Sequence, residues 1–379
     1  MLVNRFEESV TPICRNGVAK VLNEHNGVVL TAANMLEGKV LEGGWTVRQR
    51  IVTPVPAAHV SCSVRYGVQA PDGRMAFLKA IDLSFALQAP DTMKALETLT
   101  LAFNFERDVL TKCHDKRLSH VVTSIGHGQV QVEEAEGVKQ VPYLLFEQAD
   151  GDVQNQTDLL GQTFDLAFAL RALHHIALGL GQLHGQQIAH QDIKPSNVLV
   201  FGGKTSKVAD LGRSASKAHE PPHHHEPIPG DPSYAPPERL YHLDQAEWNA
   251  RRFGCDAYLL GSMVVFFFTG AALTPQVQAV LPEAHRWRHW TGTYADVLPY
   301  LRDAFDRVME EFSPQVPSGL RDRLVTAVRE LCDPDPSVRG HPRNRAIAGS
   351  NQYSVQRYVS LFDLQAKQAE YGMRKDLQR

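Results

Sequence analysis

The sequence predicts an α+β fold in two lobes, a small antiparallel β-sheet lobe with one helix followed by a larger, mainly helical lobe. Three observations predict it. At 379 residues the chain is longer than a typical single domain. Strand-like runs separated by a tight-turn signal fill its first part. From Gly151 onward the pattern turns to long helical periods, with a shift of composition near Asp150.

Residues 1–37 have mixed character and no motif; a short helix is expected near Val18 to Asn23, and the segment is set apart as an N-terminal extension. The first lobe is placed at 38–148. Its strands are WTVRQRIV from Trp45, HVSCSVRYGVQA from His59 and MAFLKAID from Met75, the last two joined by Pro71-Asp72-Gly73-Arg74, which sets up an antiparallel meander. Thr92 to Lys116 carries apolar residues at helical spacing (Leu96, Leu99, Phe103, Val109, Leu110), and strand-like runs return at Val121 to Val132 and Val141 to Phe146. The second lobe is placed at 149–345. Phe164 to Leu183 reads as a long apolar-rich helix ending at His184-Gly185, where glycine suits a C-terminal cap. Ala257 to Leu273 is almost wholly apolar, yet it is short of the roughly 20 residues a bilayer requires and follows Asp256 directly, so a buried core helix is expected. In the tail, 346–379, Val355, Tyr358, Val359, Phe362, Ala366 and Ala369 share one helical face, which predicts a helix packed on its own domain.

Lysine plus arginine number 39 and aspartate plus glutamate 42, a formal charge of -3. No field of one sign results, and neither nucleic-acid binding nor membrane insertion is expected. Cys14, Cys62, Cys113, Cys255 and Cys332 show no C-x-x-C spacing for zinc or a redox pair, and a reducing cytoplasm is the natural compartment. Arg5, Glu7 and Glu8 leave no room for the apolar core of a secretory signal at the start.

The strongest chemical signal follows the long helix: His190-Gln191-Asp192-Ile193-Lys194-Pro195-Ser196-Asn197. Val198 to Phe201, a turn from Gly202 to Thr205, and Lys207 to Gly212 come next. Paired as a hairpin with Val198 opposite Ala209, they bring Asn197 and Asp210 out at the same end. Further on stands Gly230-Asp231-Pro232-Ser233-Tyr234-Ala235-Pro236-Pro237-Glu238. These motifs resemble H-R-D-x-K-P-x-N, D-F-G and G-T-x-x-Y-x-A-P-E of protein kinases. Over roughly Lys39 to Arg345 the chain is identified as a member of the eukaryotic-like serine/threonine protein kinase family, of bacterial type.

The resemblance implies a two-lobed protein-kinase-like fold with ATP in the cleft, Mg2+ as cofactor, and a serine or threonine of a protein as acceptor. Asp192 would accept or orient the proton of the attacking hydroxyl, and Lys194 would balance charge on the moving phosphoryl group. Asn197 and Asp210 would supply hard oxygens to magnesium. Lys79, in Ala76-Phe77-Leu78-Lys79, matches the lysine that contacts the α- and β-phosphates, with Glu106 as its partner and Glu97 as the alternative. Phe146-Glu147-Gln148-Ala149 stands where adenine meets backbone groups, which makes Glu147 and Ala149 hinge residues. Glu238 would pair with Arg339, and Asp256 would brace the catalytic loop by accepting backbone hydrogen bonds.

The pattern breaks in places. Thr53 to His59 has no glycine where the family carries a Gly-rich loop, and Phe77 replaces a small alanine beside adenine. These two departures keep a second reading open, a pseudokinase serving as a binding or regulatory scaffold. A third reading, a small-molecule kinase, is opposed by Lys194 and by the Tyr234 to Glu238 segment. Gln191 replaces the arginine that receives an activation-segment phosphate, so ordering through that contact is not expected. Asp231 replaces a threonine near Lys194. His219, His223, His224 and His225 lie among prolines, and a solvated loop rather than a metal site is expected there.

Overall fold

The computed structural model describes residues 31–52, 62–160 and 165–377; the helix expected near Val18 and the glycine-free loop from Thr53 lie outside them. The chain divides into two compact units, one of residues 1–117 and 123–149 and one of residues 118–122 and 150–379.

In the first unit, strands β1 (Thr46–Arg50), β2 (Ser63–Gln69), β3 (Met75–Ile81), β4 (Ser124–Gln131) and β5 (Gln140–Glu147) form one antiparallel sheet in the order β1-β2-β3-β5-β4, with helix α1 at Thr92–Asp115. The two-residue alternation of a strand decides what each face does. Ala76, Leu78 and Ala80 of β3 are buried with Tyr66, Val68, Tyr143 and Leu145, whereas Phe77 and Lys79 lie on the opposite face, only partly buried. Ala32, Ala33 and Leu36 join that same core, and the Tyr66 hydroxyl donates to the Ala33 carbonyl at 2.7 Å. The described end of the segment set apart as an extension therefore belongs to this unit. Cys62, just before β2, is disulfide-bonded, while Cys113, Cys255 and Cys332 are buried free thiols.

In the second unit, β6 (Gly151–Asp152), β8 (Val198–Phe201) and β9 (Thr205–Val208) form a small sheet, and β7 (Ile188–Ala189) pairs with β10 (Ala215–Ser216). The helices are α2 (Val153–Leu160), α3 (Leu166–Gly185), α4 (Pro237–Leu240), α5 (Trp248–Thr269), α6 (Leu273–Val280), α7 (Tyr294–Phe312), α8 (Ser318–Cys332), α9 (Pro342–Arg345) and α10 (Gln356–Leu377). By length and composition α3 and α5 could each cross a bilayer, but 89% of the apolar window of α5 is buried inside the protein, as a core axis requires. Gly270, at φ 73°, caps α5 in the left-handed conformation. For α3 the expected glycine cap does not form. Gly185 stays helical and Gln187 takes the left-handed turn, at φ 57°, just past the end. The tail helix α10 packs on α3 through Tyr358, Val359, Phe362 and Ala366, and Arg171 of α3 pairs with Asp363 and Glu370.

Leu118 to Val122 belongs to the second unit although the sequence places it in the first lobe. Its backbone pairs with β9: the Val208 N–H donates to the His120 carbonyl at 2.9 Å and the Val122 N–H to the Val208 carbonyl at 2.8 Å. Gly179 permits the approach, because a Cβ there would lie 2.6 Å from the His120 carbonyl oxygen. His120 stacks on His175 at 4.6 Å; its Nδ1 donates to the Ser206 carbonyl, and His175 Nδ1 accepts from the Ser206 N–H at 3.1 Å.

Burial, reinforced by His120 and His174, pushes the His175 pKa from 6.5 to about 3. The unfolded chain therefore binds this proton first. Stability held in full above about pH 6.5 is lost as pH falls through the window down to about 3. Urea midpoints at pH 7.5 and pH 5 are expected to show this fall, with a smaller difference in a His175→Gln variant. An equal difference in both would mean that His175 titrates normally.

Candidate functional site

The first unit supplies a buried ion pair. Lys79 Nζ lies 2.8 and 3.0 Å from the two carboxylate oxygens of Glu106, which is 5% exposed. Helical spacing explains the choice: Val109 and Leu110 pull that edge of α1 into the core, whereas Glu97 is exposed. Phe77 shares the Lys79 face of β3, its ring 6.3 Å from that of Phe146. Glu147 is the last residue of β5 to pair, opposite Ala76, so Ala149 stands beyond the ladder, half-buried.

In the second unit the elements converge on Asp192, which is 6% exposed. Its Oδ1 accepts the Asp231 N–H at 2.8 Å, and its Oδ2 accepts from Asn197 Nδ2 at 3.0 Å and lies 3.4 Å from Lys194 Nζ. Lys194 is also 3.4 Å from Asp231 Oδ2. Asn197 Nδ2 donates a second bond to the Asp192 carbonyl at 2.8 Å, which orients the amide and assigns its oxygen to the other side. His190 Nε2 donates to the Ala209 carbonyl at 2.9 Å, leaving Nδ1 to accept the Asp192 N–H. Asp256, fully buried, accepts from the N–H groups of His190 at 2.8 Å and Gln191 at 2.7 Å, and from His184 Nε2. That brace holds Gln191 at φ 65°, a conformation costly for a residue with a side chain.

The hairpin register differs by one residue from the expected one. Val198 pairs with Val208, not Ala209, and the Ala209 N–H donates to the Asn197 carbonyl at 2.8 Å. The connection is Gly202-Gly203-Lys204, with both glycines left-handed at φ 58° and 61°, and this shorter loop shifts the pairing. Asp210, itself left-handed at φ 62°, still emerges at the same end as Asn197 and is exposed.

Burial raises the Asp192 pKa above the ordinary carboxylate value against the pull of Lys194 and of the Asp231 N–H, with the charges of Asp210 and Asp231 adding smaller upward pushes. Burial acts to lower that of Lys194, but Asp192, Asp231 and Asp210 outweigh it and hold the ammonium charged. Lys194 thus stands between two carboxylates, those of Asp192 and Asp231. Gly230 completes the packing, since a Cβ there would lie 2.7 Å from Asp192 Oδ1.

Sequence reasoning missed several participants. Arg252 of α5 donates to the Oε1 of Gln191, while Gln191 Nε2 donates to the Arg213 carbonyl at 3.2 Å. The segment after Asp210 is held further by an Arg213–Glu226 ion pair at 3.1 Å and by Arg251 donating to the His224 carbonyl. The solvated-loop expectation fails for His223, which is 5% exposed and whose pKa burial pushes down to about 3. Among the described residues no group of three or more histidine, cysteine, aspartate or glutamate side chains is gathered closely enough to hold a metal ion. Arg252 precedes Asp256 by one helical turn, which was the one signal that could have found it.

Comparison with known proteins gives the same direction. The family model for the protein kinase domain matches residues 64–343. The chain is 33% identical over 179 residues to serine/threonine-protein kinase PLK4 of Drosophila ananassae, covering 44% of this chain and 23% of that protein. It is 27% identical over 128 residues to Aurora/IPL1-related protein kinase 2 of Caenorhabditis elegans (34% and 39%). It is 29% identical over 120 residues to cyclin-dependent kinase C-2 of Arabidopsis thaliana (30% and 23%). The chain thus spans between 23% and 39% of the length of these relatives.

Proposed function

Because this chain belongs to the protein kinase domain family, we propose that it transfers the γ-phosphoryl group of ATP to serine or threonine hydroxyls of a protein substrate. The observation that carries the reading is the joint placement of Asp192, Lys194 and Asn197 around one buried carboxylate, with Asp231 in the same network. Asp192, made more basic by burial, takes or orients the proton of the acceptor hydroxyl. Lys194 balances charge on the moving phosphoryl group. In the first unit, Lys79, held by Glu106, meets the α- and β-phosphates, and the backbone groups of Glu147 and Ala149 receive adenine.

The donor set suits a divalent cation such as Mg2+. Asn197 keeps its amide oxygen for it because both Nδ2 bonds go to Asp192, and Asp210 adds carboxylate oxygens. When bound, the ion neutralises phosphate charge. The scaffold reading draws no support from this arrangement, in which Lys79, Asp192, Lys194, Asn197 and Asp210 are all retained.

Incubating the purified chain with labelled ATP, magnesium and generic protein substrates is expected to place label on serine or threonine. Nucleotide binding without any transfer would overturn the proposal. Phe77→Ala is expected to leave the ATP Kd unchanged or lower it, because the ring occupies the face that Lys79 shares. A tenfold weaker Kd, about 1.4 kcal/mol, would make the ring part of the pocket. Since the amide of Gln191 is spent on Arg252 and Arg213, phosphatase treatment is expected to leave initial rates unchanged. A tenfold fall, restored on rephosphorylation, would show that phosphate orders the segment.

A further inference from the structure

The sheet face that carries Lys79 holds a second cation. In the register of β2 with β3, Arg65 stands directly opposite Lys79 and Gly67 opposite Phe77. Strand alternation sends Val64, Tyr66 and Val68 to the core and leaves Arg65 on the Lys79 face, where Gly67 adds no side chain. Directly opposed residues of antiparallel strands have Cβ atoms about 4.5–5.5 Å apart. Lys79 and Arg65 are therefore neighbours across the ladder.

Like charges placed directly opposite one another destabilise a sheet. Glu106 answers for Lys79, with its two oxygens at 2.8 and 3.0 Å. Nothing answers for Arg65: it is exposed, and its guanidinium makes no hydrogen bond or ion pair among the described residues. Other arginines of the same strands do find partners, Arg48 donating to Gln69 Oε1 and Arg74 pairing with Asp72 at 2.7 Å. An anion seated between Arg65 and Lys79 turns their repulsion into pairing, and a guanidinium fork matches phosphate oxygens. The sequence also leaves such a group a task. Thr53 to His59 has no glycine to bring its backbone close to phosphate, and its Pro54 and Pro56 carry no N–H to donate.

We propose that Arg65 binds the polyphosphate chain of a nucleoside triphosphate beside Lys79, so that a side chain of β2 supplies the phosphate contacts that a Gly-rich loop supplies with backbone N–H groups. The role of Arg65 rests on the reading of Lys79 as a phosphate-binding residue given above. Arg65 touches the bound nucleotide and takes no part in proton transfer.

The test uses the full chain in the presence of magnesium. Dissociation constants for ATP and for adenosine are measured in the parent, in Arg65→Gln, in Arg65→Lys, and in Arg74→Gln, which removes the same charge at the β2–β3 turn. Arg65→Gln is expected to weaken ATP by about tenfold or more and to leave adenosine unchanged. Arg65→Lys should keep part of the ATP affinity, and Arg74→Gln should keep all of it. Without nucleotide, Arg65→Gln should melt no lower than the parent, since it removes an exposed cation that faces another. An unchanged ATP Kd in Arg65→Gln, in a parent that transfers label to protein, overturns the role of Arg65 and leaves phosphoryl transfer standing. An equal loss of ATP affinity in Arg74→Gln, or an equal loss for adenosine, overturns it as well, because net charge or a deformed pocket then accounts for the effect. An ATP Kd that depends on Arg65 in a chain that transfers no label upholds the site and overturns the transfer. A parent that binds neither ATP nor adenosine overturns both.

Discussion

Asp192→Asn is expected to lower kcat for phosphoryl transfer by on the order of 10²–10⁴-fold while the thermal midpoint stays near that of the parent. The amide oxygen can still accept the Asp231 N–H, so the loop has reason to keep its course. The amide nitrogen cannot accept from Asn197 or Lys194, as Oδ2 of the carboxylate does, and it cannot take a proton from an incoming hydroxyl. Removing a buried carboxylate also lightens the excess of negative charge around Lys194, which argues against a large loss of stability. Initial rates with saturating ATP and a fixed protein substrate, beside melting curves of both proteins, decide the matter. Undiminished rates would take Asp192 out of the chemistry. A low rate with a collapsed melting point would make its role structural.

Arg339→Met is expected to have the largest effect on stability. Arg339 and Glu238 are 0% and 1% exposed, joined by two parallel bonds, and Arg339 also donates to the carbonyls of Gly254 and Asp333. Removing the cation leaves a carboxylate buried without a partner, a loss of about 3–5 kcal/mol. At about 2–4 °C per kcal/mol for a unit of this size, the midpoint should fall by on the order of 10 °C. The double variant Glu238→Gln/Arg339→Met should recover part of the loss, because no orphan charge remains. A single variant melting within about 2 °C of the parent would mean that water or another cation takes over the carboxylate.

The parts of the site legible in the sequence are those whose partners are close along the chain. Asp192, Lys194 and Asn197 are close neighbours along the chain, and Asn197 bonds Asp192 directly. Glu106 was identifiable as the partner of Lys79 because buried Val109 and Leu110 mark its edge of the helix. Strand alternation likewise set Phe77 and Lys79 on one face and Ala76, Leu78 and Ala80 on the other. The hairpin was predicted in kind but not in register, since the composition of Gly202 to Thr205 does not say whether three or four residues make the turn.

The sequence by itself determined the antiparallel strands and helix of the first lobe, the long helix α3, the tail helix α10, the motif that gathers around Asp192, and the buried character of α5, all of which follow from local period and spacing. Only the tertiary structure decided that Leu118 to Val122 pairs with β9, that Ala32 to Leu36 fills the sheet core, and that His223 is buried among arginines. It also decided that Arg252 engages Gln191 from across the unit and that Gly230 leaves room for the Asp192 carboxylate. The physical reason is the same in each case. These outcomes depend on close approach between segments distant along the chain, where a single Cβ or an unpaired charge settles the packing, and neither has any periodic trace in the sequence.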